Sequence, residues 1–137
     1  MFGLHRLDRL RQTRLHGNYV SADIVLLAEI VLNGQVWEIP ERLFYRRYHE
    51  EMSLRANVTP AEITTWFDPA KATAHVMPRT RLSTEHIRAI SRAPISVDER
   101  ARCLWSFVSV WGSRHWRTVG GEVKRELGAL VRQRGAD

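Results

Sequence analysis

Cysteine is almost absent from this sequence. The single Cys103 excludes an internal disulfide framework and a cysteine-based zinc site. Set among apolar neighbours, it reads as an inert buried thiol. Long apolar runs are lacking as well. The run from Ile24 to Leu32 carries Glu29 and falls short of the roughly 18 to 20 residues of a membrane span. The amino-terminal residues bring scattered positive charge but no apolar signal-peptide core. A cytoplasmic protein is the default, with peripheral membrane contact as the variant. His5, His16, His75, His86 and His115 show no metal-ligand spacing and read as structural or surface groups. No internal repeat and no low-complexity segment appears.

What is present is basic charge. The net charge is +6 and the pI about 10.4, and arginine supplies most of it. Such a balance suits nucleic acid, a membrane surface or an anionic substrate, and does not choose among them. The chain has 137 residues, 44% apolar and 26% charged, which suffices for one modest core.

Taken in order, Met1 to His5 is compatible with a strand, and Arg6 to Thr13 reads as a short basic helix. Gly17-Asn18 signals a turn. The stretch Ser21 to Gly34 is the most apolar of the chain. Ser21 is a suitable N-cap, and Gly34 suits a left-handed helix end. A helix apolar all round is expected to be buried on nearly every side. Only Asp23 and Glu29 interrupt it, pointing about 120° apart at helical spacing. Asp23 falls in the first turn, where the helix dipole favours negative charge. Glu29 reads as a buried carboxylate paired with an arginine.

Beyond Gly34, Gln35 to Ile39 alternates like a strand, and Leu43 to His49 reads as a second one. Thr59-Pro60-Ala61-Glu62 is a capping box opening a helix that stops near Asp68-Pro69. Lys71 to Arg81 reads as loop, and Ser83 or Thr84 opens a helix through Ile90. A second capping box, Ser96 to Glu99, starts a helix through Trp111. Gly120-Gly121 reads as a break before a last helix. The tryptophans read as core or helix-packing residues, with sugar stacking an alternative at Trp66. The fold class expected is α+β, mostly α.

Several of these residues also carry a resemblance. Phe2 to Tyr19, then the Asp23-x-x-Leu26-Leu27-Ala28-Glu29 helix with Gly34, then Ile39-Pro40-Glu41 and Arg46-Arg47-x-His49 follow one another in a familiar order. Together they resemble the C-terminal part of family 2 glycosyltransferases with the GT-A fold. The resemblance covers residues 1 to 49 and, more loosely, Thr59 to Pro69. It implies a partial GT-A-like segment over residues 1–55, with one buried helix and two or three short strands, and a helical extension over 56–137.

The resemblance also implies site roles. Asp23 would be the catalytic base, taking the acceptor hydroxyl proton. Arg46 and Arg47 would bind the donor diphosphate, as guanidinium groups do bidentately. His49 would contribute to a divalent metal site, Mg or Mn. The family often places Glu before this aspartate, whereas Ala22 stands here. No two aspartates are separated by one residue, so the family's Asp-x-Asp motif is missing, and no glycine-rich phosphate loop occurs. The expectation is therefore an acceptor-side portion lacking the N-terminal nucleotide-sugar half. It would use a nucleotide-sugar donor and an unknown acceptor only when complemented. Alone it would bind a sugar nucleotide poorly or not at all.

Two other classes compete. One is a small basic helical module for nucleic acid or an anionic membrane, motivated by Arg6–Arg14 and Arg114–Arg134. No nucleic-acid motif supports its first form. The other is a helical piece that binds a protein partner through an exposed helix face.

Overall fold

The computed structural model describes residues 3–45, 59–69 and 77–134. It divides into two compact units, Met1–Val76 and Met77–Asp137. The boundary expected between residues 55 and 56 lies outside the described residues.

In the first unit, α1 (Leu7–Leu10) is a single turn with no buried residue. Arg6 donates from Nε and Nη2 to Asp8 at 3.2 and 3.3 Å. These bonds, first of all, hold the Asp8 carboxyl below its usual value. The central helix α2 (Ala22–Leu32) follows. It is buried on one face only, through Ala22, Val25, Leu26 and Glu29, while Ile24, Leu27 and Val31 stay exposed. The expectation of burial on nearly all sides is corrected accordingly. α3 (Pro60–Phe67) starts at its capping box, where the Thr59 N–H donates to Glu62 and the Glu62 N–H donates to the Thr59 hydroxyl.

The expected α+β class is overturned. Among the described residues there is no strand and no sheet, hence none of the GT-A-like strands. Gly3 to His5 and residues 35–40 are irregular, with no strand partner among the described residues. A strand is stabilised by its ladder and by cross-strand side chains. Val36, Trp37 and Ile39 find neither among the described residues, and all three are exposed. Leu43 to Tyr45 are likewise irregular and exposed, and residues 46–49 of that expected strand lie outside the described residues.

The second unit is built from α4 (Pro78–Arg92) and one long continuous helix. The long helix comprises α5 (Val97–Ser106), a π segment (Phe107–Gly112) and α6 (Ser113–Arg134). The Ser96 box caps α5 in both directions. At one end of α4, its first backbone N–H groups meet Glu122. At the other, Arg100 donates to the carbonyl of Ala93 at 2.9 Å. The two helices are therefore antiparallel, and Leu82, Ala89, Ile90 and Ala93 are buried between them.

Two expectations are corrected here. α4 begins at Pro78, well before Ser83. Proline suits a first helical position, and the Glu122 carboxylate supplies the missing cap from α6. Gly120-Gly121 does not break the chain. A helical glycine costs only about 1 kcal/mol relative to alanine, and the adjoining Glu122 anchors this part of α6 to α4.

Candidate functional site

The mouth of α2 is shaped by the segment that leads into it. Arg14 lies against the helix, its backbone N–H and its Nε each 2.8 Å from the Glu29 carboxylate. Glu29 is buried, so this ion pair replaces water that the carboxylate has lost. The arginine partner expected for Glu29 is thus Arg14. The next residue, Leu15, has φ 60°. A Cβ on Gly17 would meet the Tyr19 ring, which would have to shift to make room for it.

Ser21 stands at the N-cap position, but with φ 64° and with no hydrogen bond from its side chain. It is not the capping serine expected. Leu15 and Ser21 both occupy the left-handed region, at about 1 to 2 kcal/mol each for a residue with a Cβ. Both strained residues lie in the short connection between Arg14 and Asp23. At its far end the helix stops at Asn33, with φ −99°, rather than at a left-handed Gly34. The Asn33 side chain donates to the Glu29 carbonyl at 2.7 Å.

Asp23 is half-buried in the first turn of α2. At helical spacing it lies within roughly 40° of Leu27 and 80° of Val31, and about 120° from Glu29. It therefore shares the face that the first unit leaves uncovered. A carboxylate there, at the end of an apolar surface, can accept hydrogen bonds or a proton.

The other expected site residues, Arg46, Arg47 and His49, lie outside the described residues. Among the described residues, no three His, Cys, Asp or Glu side chains are grouped to hold a metal ion. His49, the residue through which the resemblance implies a divalent metal, is not among the described residues.

In the second unit, aromatic rings line the contact between α4 and the long helix. His86 stacks on Phe107 and Trp111 at 5.3 and 5.8 Å, and His115 lies 4.1 Å from Trp111. The wider turn of the π segment slows the rotation per residue. Phe107, Trp111 and His115, each four apart, thereby stay on one side. The Trp111 Nε1–H donates to the Ser83 hydroxyl at 2.9 Å, and Arg79 lies over the Trp111 ring. Trp111 packs as expected, whereas Trp37, Trp66, Trp105 and Trp116 are exposed. Cys103 is half-buried. The spacing of Phe107, Trp111 and His115 carried the signal for this stack, but Glu122 had no local signal.

No helix among the described residues is long and apolar enough to cross a membrane. Fold and site together define a helical chain with one half-buried carboxylate at the mouth of an apolar helix. No protein-family model, curated protein or solved structure matches it.

Proposed function

We propose that the first unit is the acceptor side of a glycosyltransferase. It works only when a second polypeptide half supplies the nucleotide-sugar site. The observation that carries this reading is Asp23. It is half-buried in the first turn of α2, on the helix face where Ile24, Leu27 and Val31 stay exposed. Behind it, Arg14 and Glu29 fix the helix, and the strained Ser21 immediately precedes it. Strain of this kind persists where surrounding contacts over-determine the backbone, and it concentrates at functional sites. The resemblance of residues 1 to 49 to the C-terminal part of family 2 enzymes supplies the reaction class.

In this reading Asp23 removes the proton from an acceptor hydroxyl as that oxygen attacks the anomeric carbon. The nucleoside diphosphate leaves, with Arg46 and Arg47 pairing to its phosphates. A divalent cation beside that diphosphate would be held in part by His49, with its remaining ligands from the complementing half, and would neutralise charge on the leaving phosphates. That half also covers the apolar face of α2 and excludes water from the base.

Co-expression with a nucleotide-sugar-binding half encoded upstream tests this. The complex is expected to hydrolyse or transfer sugar from a nucleotide sugar. Asp23→Asn is expected to abolish turnover while the two halves still co-purify. Full turnover with Asp23→Asn would overturn the assignment of the base. Failure of the halves to associate would overturn the complementation itself.

A further inference from the structure

We infer that α6 lies flat on an anionic phospholipid surface. This does not rest on the transferase reading. One side of α6 belongs to the second unit's interior: Glu122 is buried against α4, and His115 is half-buried against Trp111. A different side carries Trp116, Val123, Leu127 and Val131, which are 63%, 39%, 58% and 71% exposed. Their spacing puts all four within an arc of roughly 80° and along about 22 Å of helix. That is a continuous apolar stripe facing away from α4.

The charge beside the stripe identifies what covers it. Lys124 and Arg117 border it at about 80 to 100° from Trp116, and Arg114, Arg125 and Arg132 follow at roughly 160 to 180°. All five are exposed. The acidic residues of α6 are Glu122, consumed by the cap of α4, and Glu126, on the other border of the stripe. An apolar stripe with a basic border is the pattern of a helix lying in the plane of a bilayer interface. Acyl chains take the stripe, and lipid phosphates take the border. The long stems of lysine and arginine let their charged ends reach the phosphates. The Arg117 guanidinium lies 5.3 Å from the Trp116 ring, joining an aromatic and a cation at one end of the stripe. Tryptophan is enriched at that depth of a membrane. No described helix is long and apolar enough to cross a bilayer, so this helix rests on it.

Nucleic acid would use the arginines but leaves the aliphatic Val123, Leu127 and Val131 without a partner. An ordinary protein groove would need acidic walls on one side only. The bilayer surface matches both halves of the pattern at once.

The test is sedimentation of the full chain with lipid vesicles. One set is pure phosphatidylcholine, and the other contains about a third phosphatidylglycerol. Binding to the anionic vesicles is expected to be at least about tenfold tighter, and to weaken as salt is raised. Leu127→Asp changes a side chain already in solvent and is expected to cut anionic-vesicle binding by about tenfold. The pair Arg117→Glu with Lys124→Glu is expected to abolish the preference for anionic lipid. No binding to anionic vesicles at low salt would overturn the inference. So would unchanged binding by Leu127→Asp, or salt-sensitive binding to DNA or RNA with none to vesicles.

Discussion

Replacing Glu122 with alanine removes the cap of a helix that begins more than forty residues earlier in the chain. The carboxylate accepts from the Arg79 N–H at 3.2 Å, the Thr80 N–H at 2.8 Å and the Thr80 hydroxyl at 2.7 Å. Glu122 is only 3% exposed, yet Thr80 is half-buried, so water reaches the vacated donors in part. Each orphaned N–H then costs about 1 kcal/mol, the low end for a buried donor. The hydroxyl and the lost charge–dipole attraction together add about 1 kcal/mol. The expected loss is about 3 kcal/mol, against roughly 3 to 9 kcal/mol for the stability of a unit this size. Glu122→Gln keeps an acceptor oxygen and is expected to cost about 1 kcal/mol. Urea unfolding followed by helical circular dichroism measures the loss. Hydrogen exchange at the Arg79 and Thr80 amides places it at the start of α4. A change under about 0.5 kcal/mol for Glu122→Ala, no larger than for an ordinary surface substitution, would refute the cap.

Three further outcomes follow from the same kind of accounting. Gly120→Ala and Gly121→Ala would each place a Cβ in open space within α6, so each is expected to stabilise the second unit by about 0.5 to 1 kcal/mol in urea unfolding. Destabilisation by either would mean the glycines interrupt the helix after all. Glu29→Ala is expected to cost about 2 kcal/mol and to release the Arg14 segment, read as faster tryptic cleavage after Arg11 and Arg14. The Ser96 backbone N–H, and after it the Ser96 hydroxyl, hold the Glu99 carboxyl below its ordinary 4.5. The stability this contributes is present above that ordinary value and lost as pH falls through the lowered one. Ser96→Ala leaves the backbone donor in place. The Glu99 carboxyl should therefore titrate higher but still below 4.5, and an NMR titration that shows no rise would exclude the hydroxyl bond.

Local signals were legible and distant ones were not. Both capping boxes could be read because donor and acceptor lie three residues apart, and the structure forms them as expected. The start of α4 could not be read, because its cap arrives from Glu122 on another helix. The alternation of Val36, Trp37, Glu38 and Ile39 is the pattern of a strand, but a pattern supplies no neighbouring strand to pair with, and the segment stays open. At the candidate site, the first-turn position of Asp23 was visible from local chemistry. The strain at Ser21 and Leu15 was not, since neither residue type favours the left-handed region.

The two exposed apolar stripes set different demands on what meets them. The stripe of α2 runs along Ile24, Leu27 and Val31, carries Asp23 at one end and has no basic residue anywhere in its helix. An anionic surface gains nothing there and would be repelled by the carboxylate. A protein half that brings a hydroxyl-bearing acceptor and its donor to Asp23 gains both the burial and the base. The stripe of α6 has Arg117 and Lys124 on one border and Arg114, Arg125 and Arg132 beyond them, and a protein half that covered it would have to bury the border charges unpaired or supply acids of its own. A lipid headgroup layer neutralises those charges without ordering a single partner side chain. In both proposals burial would drive the association, while the charge beside each stripe would select the partner. Leu127→Asp should therefore impair vesicle binding and leave complementation of turnover through Asp23 intact. Loss of both by that one substitution would mean that a single surface serves both roles.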